Sequence, residues 1–206
     1  MSQDTGTSEE ALIERAKQNP EAFGQLFDLH YSKILSYALR RVGDAEVAED
    51  VAAETFSKAF RHLKHYRYRG VPFSSWLYRI AGNEIKMYFR KPRWQLSLDS
   101  LREQGFDTPE IVSERELLNE LVLRDEQFAR VMEKLRELPV RQQEAIVLRY
   151  IEEKEMHEIV VIMRCKEVTV RSFLSRGFAK LRVLLKTQQK DAPRIIEGEG
   201  RSVLSA

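Results

Sequence analysis

Apolar residues along this chain recur at steps of three and four, and the alternating β-branched runs that build half-buried strands are few. Between Glu21 and Val42, the residues Phe23, Leu26, Phe27, Ile34, Leu35, Ala38 and Val42 share one helical face. Val47, Val51, Ala52, Phe56, Ala59, Phe60 and Leu63 repeat the pattern after Asp44. An all-α fold is expected. At 206 residues the chain suffices for one medium domain or two small ones. Its 43% hydrophobic and 32% charged residues fit a folded chain rather than a disordered one.

Local punctuation divides the helices. Ser8 before Glu9 and Glu10, Asn19 before Pro20, and Asp44 are expected N-caps, and Gly43 is an expected left-handed C-cap. Gly70 and Pro72 interrupt the pattern, and Ser74 or Ser75 is expected to cap a helix running through Trp76, Leu77, Ile80 and Ile85 to Phe89, before Pro92. These helices make a first domain over residues 8–94. Gln95 to Gln127 carries nine acids against three bases, with Gly105 and Pro109, and reads as an acidic linker over 95–127. Further helices are expected over Leu117 to Leu138, Arg141 to Ile151, Met156 to Arg164 and Glu167 to Lys186, giving a second domain over 128–186. A polar tail, 187–206, follows.

Metal and disulfide chemistry have little to work with. Cys165 is the one cysteine, and the four histidines have no ligand spacing. Cys165 beside Met163 reads as a partly buried structural thiol, with a redox sensor as the alternative. No cofactor is expected. No apolar run reaches the roughly 20 residues that span a bilayer, and Met1 to Thr7 is unlike a secretory signal, so a cytoplasmic protein without membrane insertion is expected. A helical enzyme would need a phosphate loop, a metal motif or a nucleophile-base pair, and none is recognisable.

The net charge of +2 is a cancellation. Arg61 to Arg93 holds nine Lys or Arg against Glu84 alone, and eight of the chain's 19 aromatics fall between Tyr66 and Trp94. Cations neutralise phosphates and aromatic faces stack unstacked bases, so this mixture suits single-stranded or opening nucleic acid. Trp76 and Phe89 fit core packing better, while Tyr66, Tyr68 and Phe73 in the loop suit bases or core about equally. Arg164 to Lys190 holds eight Lys or Arg against Glu167. Glu158 to Val160, a turn at Arg164 to Lys166, and Thr169 to Ser172 reproduce a helix-turn-helix, whose second helix enters the major groove. Val170, Leu174 and Phe178 would face the core, leaving Thr169, Arg171, Ser172, Ser175, Arg176 and Lys180 for DNA. A basic solvated helix is the bland alternative.

The run DAEVAEDVAAETFSKAF from Asp44 to Phe60, with FSSWLYRIAGN from Phe73 to Asn83, resembles region 2 of the extracytoplasmic-function sigma factors. Leu135 to Pro139, Arg149-Tyr150 and Glu158 to Arg176 resemble region 4 of that family. The resemblance covers about residues 10–186. It implies a bacterial initiation factor, not an enzyme, that binds core RNA polymerase, recognises promoter DNA and helps melt it. It further implies that Glu46, Glu49, Asp50 and Glu54 dock on the β′ clamp helices and that region 4 meets the β flap. A solvated acidic face is the alternative for those acids. Arg67, Tyr68, Phe73, Arg79, Asn83, Lys86 and Arg90 would serve the minus-ten element, Asn83 as a base contact and Phe73 beside a flipped base. Thr169, Arg171, Ser172, Ser175, Arg176 and Lys180 would serve the minus-thirty-five element. An anti-sigma factor is an implied partner. Ala53, Gly82, Met87, Gln143, Arg164 and Phe173 depart from the family pattern. A helix-turn-helix regulator with an N-terminal interaction domain is the competing reading, but it leaves the aromatic-basic cluster without a purpose.

Overall fold

A computed structural model describes residues 4–68, 70–90 and 126–191. Among these residues every regular element is helical. Helix α1 spans Asp4–Ala16, so Ser8 lies inside it rather than at its cap. Helix α2, Pro20–Val42, starts where Asn19 Oδ1 accepts the Glu21 N–H at 2.9 Å. It stops at Gly43, whose φ of 76° lets its N–H reach Leu39 O at 2.8 Å. Asp44 then accepts the Val47 N–H at 3.0 Å and opens α3, Ala45–His62. Replacing Asp44 by Ala orphans that donor and is expected to cost about 1 kcal/mol in a urea titration of the full chain. A loss below a few tenths would show that solvent serves the N–H equally well.

A 3₁₀ turn, Leu63–His65, leads into the loop before α4, Phe73–Arg90. Neither serine caps α4. Ser74 and Ser75 are buried inside its first turn, and the cap comes from far away: Glu9 of α1 accepts the Phe73 N–H at 3.3 Å. Leu26, Ile34, Leu35 and Ala38 of α2 meet Ala48, Ala52, Phe56 and Ala59 of α3 and Leu77, Ala81 and Ile85 of α4 in a dry core. Phe27 lies edge-on to Phe56, ring centroids 4.8 Å apart.

The second half begins with α5, Glu126–Arg136, so the expected start at Leu117 lies outside the described residues. It ends two residues short of Leu138, where Leu138 N–H turns back to Leu135 O ahead of Pro139. The segment expected as one helix to Ile151 is two pieces, α6 at Val140–Ile146 and a wider π turn at Val147–Ile151. Helix α7 is Met156–Met163 and α8 is Glu167–Asp191. Val170, Leu174 and Leu181 of α8 pack against Leu135, Ile146, Ile159 and Ile162. Phe178 corrects the expected stripe: it is 37% exposed and rests against Tyr150 at 5.0 Å. Steps of four overrun a 3.6-residue period, so the buried face passes from Leu174 through Gly177 to Leu181 instead. A Cβ on Gly177 would come 2.7 Å from Ile146 Cδ1.

The two halves also touch. Arg41 of α2 is fully buried, donating to Gln143 Oε1 at 2.9 Å, Tyr37 Oη at 2.7 Å and Val140 O at 3.2 Å. Gln143 returns its amide to Arg41 O at 3.0 Å. That pairing accounts for a glutamine at 143, since a second guanidinium would repel the first.

Candidate nucleic-acid interface

The loop ahead of α4 turns at Gly70, which has φ of 71°. Arg67 and Tyr68 project into solvent, Tyr68 being 44% exposed. Tyr66 is half-buried against Trp76 at 4.8 Å and Phe73 at 5.2 Å. Burial pushes its hydroxyl up to about 12, so it stays a donor. Phe73 is 0% exposed, wedged between His30, Tyr66 and Trp76. It corrects the expectation of an aromatic on the rim of a base pocket: placed in the first turn of α4, its ring points into the core and props the loop aromatics from beneath. Phe89 errs in the opposite sense, lying 42% exposed beside Tyr88 where core packing was expected. Ile85 is the last buried residue of α4, and Met87, Tyr88, Phe89 and Arg90 in its final turn are all exposed.

On α4, Asn83 and Arg90 are exposed, while Arg79 and Lys86 are half-buried. Positions 79, 83, 86 and 90 follow steps of four, three and four and share one helical stripe. Lys86 Nζ lies 3.1 Å from Glu144 Oε1 of the second half, an ion-pair distance without hydrogen-bond angles at that oxygen. Burial lowers the Lys86 pKa, and the Glu144 carboxylate opposes the shift. Beside the stripe, His62, His65, Arg67, Arg79 and Arg164 surround Tyr66 and Trp76 in a cavity of about 400 Å³.

The helix-turn-helix is α7, the turn at Arg164 and α8. Arg164 takes the left-handed conformation, φ 50° and ψ 50°, where a glycine is more usual. Of the residues expected to face DNA, Arg171, Ser175, Arg176 and Lys180 are exposed, and Thr169 and Ser172 are half-buried. Arg171 is tied to Glu167 at 2.6 Å on the surface. Such an exposed pair is worth less than about 1 kcal/mol and yields to a better partner. Phe173 is half-buried beneath the Arg141 guanidinium, 5.6 Å from its ring centre, which explains an aromatic at that departure.

The acidic face of α3 presents Glu46 and Asp50 to solvent, with Glu49 and Glu54 partly covered. Glu54 pairs with Lys58 at 3.3 Å and Arg61 at 3.1 Å, so part of that charge is answered within the helix. Ala53 is exposed between them. Nothing in the structure explains Met87, which is half-exposed. Sequence reading missed Glu144, Glu152 and Glu158, three carboxylates of the second half that lie against α4.

Residues 26–95 match the family model of sigma-70 region 2, and residues 128–181 match that of sigma-70 region 4. The chain is similar to the RNA polymerase sigma-H factor of Pseudomonas aeruginosa, 33% identical over 84% of this chain and 91% of that one. It is 30% identical to the sigma factor SigW of Bacillus subtilis over 82% of this chain and 92% of that one. With the sigma factor BldN of Streptomyces coelicolor the identity is 30%, covering 84% of this chain but only 64% of the relative's length. Among solved structures, CnrH in complex with the cytosolic domain of CnrY superposes with a TM-score of 0.61 at 26% identity, covering 87% of this chain and 97% of CnrH. The order of the two regions, the helix-turn-helix and relatives matched over nine-tenths of their length agree. The chain belongs to the sigma-70 family of RNA polymerase sigma factors, in its extracytoplasmic-function group.

Proposed function

We propose that this chain binds core RNA polymerase through the acidic face of α3, reads the minus-ten element with the α4 stripe and its loop, and reads the minus-thirty-five element with α8. Residues 8–94 form the polymerase-binding and melting domain, 95–127 the linker and 128–186 the upstream reader. The observation that carries this is the pairing of two basic, partly exposed surfaces on separate helical units with an acidic helix that neither surface uses. Arg67 and Tyr68 offer a cation and an exposed ring to an unstacked strand, and Phe73 holds the ring cluster behind them. Asn83 supplies the amide for a base edge, flanked by Arg79, Lys86 and Arg90 for phosphates. Thr169, Arg171, Ser172 and Ser175 face the major groove from the first turns of α8, with Arg176 and Lys180 following the backbone. Glu46, Glu49, Asp50 and Glu54 meet the β′ clamp helices, and the second domain meets the β flap. The chain acts by binding rather than catalysis, works in the cytoplasm, and is held in reserve by an anti-sigma factor. No helix among the described residues is long and apolar enough to cross a membrane.

Run-off transcription with purified core polymerase on a promoter library tests the reading. A defined start site that depends on adding this chain is expected. Core polymerase that neither retains the chain nor acquires a start site would refute it.

A further inference from the structure

The cavity beside the α4 stripe joins two chemistries. Tyr66 and Trp76, with ring centroids 4.8 Å and planes 38° apart, line it together with the buried Val71. Arg67 enters from the loop, Arg79 from the second turn of α4 and Arg164 from the helix-turn-helix. His62 and His65 at the end of α3, and Val161 of α7, line it as well, so both domains contribute walls.

Among the described residues that line the cavity there are three guanidiniums and no carboxylate. Surface arginines elsewhere find acids: Arg61 pairs with Glu54, Arg149 with Glu155 and Arg171 with Glu167. Among the described residues neither Arg67 nor Arg164 has such a partner. Like charges gathered without a counter-charge repel one another, and an entering anion relieves that repulsion. The backbone at Arg164 points the same way. Its φ of 50° lies in the left-handed region, where glycine is at ease and a long side chain is costly. Glycine would make the turn more cheaply, so what the position gains from arginine is the guanidinium.

Guanidiniums grip phosphate oxygens in pairs, and three of them suit an ion of several charges better than a single phosphate. The two rings and Val71 suit a planar base, whose face stacks on an aromatic surface. A volume of about 400 Å³ falls within the range of small-molecule pockets, roughly 300 to 1,000 Å³. We propose that this cavity binds one nucleoside di- or triphosphate, with the base against Tyr66 and Trp76 and the phosphates among Arg67, Arg79 and Arg164. Tyr68 and Asn83 do not line it, so it is distinct from the base contacts assigned above, although it engages Arg67 and Arg79 of the surface proposed for minus-ten DNA. Nucleotide binding is a property of the free chain and stands whether or not the promoter assignment does.

Isothermal titration of the full chain with ATP and with GTP is expected to show one saturable site, filled well below millimolar nucleotide. Tripolyphosphate, which carries the charge without the base, should bind more weakly by roughly 5- to 150-fold, the worth of one stacked base. Arg164→Gly removes a guanidinium while giving the turn the residue its φ favours. It is expected to weaken ATP binding by roughly 10- to 150-fold, the loss of charged hydrogen bonds. His65→Glu places a carboxylate at an exposed lining position and should weaken binding in the same sense, with circular dichroism checking that both variants keep their helices. No binding at millimolar nucleotide would overturn the site, as would tripolyphosphate binding equal to that of ATP, or an Arg164→Gly chain that binds ATP unchanged. A single-stranded oligonucleotide is titrated alongside. If it binds more tightly than ATP and loses as much with Arg164→Gly, the cavity takes a base of a strand and the free-nucleotide assignment falls. If its binding survives Arg164→Gly while that of ATP does not, the strand uses the α4 surface alone and the cavity belongs to the nucleotide.

Discussion

Replacing Arg41 by alanine is expected to lower the unfolding free energy of the full chain by about 3 to 5 kcal/mol. The guanidinium is 0% exposed and serves three acceptors: Gln143 Oε1, Tyr37 Oη and Val140 O. Its plane also lies over the Tyr37 ring, 5.4 Å from the centre. Truncation strands those groups in a space that water enters poorly, and each buried orphan costs about 1 to 3 kcal/mol. Lysine is expected to recover only part, because a single ammonium cannot reproduce the fork. Urea titration followed by circular dichroism measures the loss. A change under about 1 kcal/mol would mean that Gln143 and Tyr37 find water or each other, and that the contact between halves is loose.

Asn83→Ala and Arg171→Ala are expected to damage different parts of the promoter. Each removes a side chain proposed to read base edges, worth about 1 to 3 kcal/mol of discrimination, or roughly 5- to 150-fold in transcription from a good promoter. The Asn83 variant should relax the minus-ten preference in a promoter library, and the Arg171 variant the minus-thirty-five preference. Arg171 must first leave Glu167, a surface pair that is cheap to break. Both defects should deepen with salt, since the remaining contacts are largely to phosphate. Identical promoter profiles for the two variants would refute the division of labour between α4 and α8.

The elements that sequence reading placed well are those whose determinants lie within one helical turn. Asn19, Gly43 and Asp44 act on backbone groups two to four residues away, and the apolar stripes of α2 and α3 repeat at the helical period. The two motif blocks were legible for the same reason, each being a local spacing. What escaped depended on partners distant in sequence. Ser74 and Ser75 were reasonable caps until Glu9 arrived from 64 residues upstream at Phe73 N. Phe73 read as a loop aromatic because nothing near it in sequence announces His30 of α2 as a neighbour. Arg41, Gln143 and Glu144 are polar and add nothing to an apolar period, although each is buried where the two halves meet. A periodic pattern reports which face of a helix is apolar; it is blind to a polar face that finds a polar partner.

The reach of Glu9 alters how the first helix should be regarded. Helix α1 lies outside the stretch that matches region 2, yet its carboxylate holds the first N–H of the helix that carries Asn83. The His30 ring 3.3 Å away keeps that carboxyl below its usual range, against the opposing effect of burial and with help from the Phe73 N–H. A group so depressed contributes its stabilisation above its unfolded pKa and loses it as acid carries the pH down through the folded value. Helix α1 is thus a fastening on the helix proposed to read the minus-ten element, and a change that disturbs α1 is expected to weaken promoter opening.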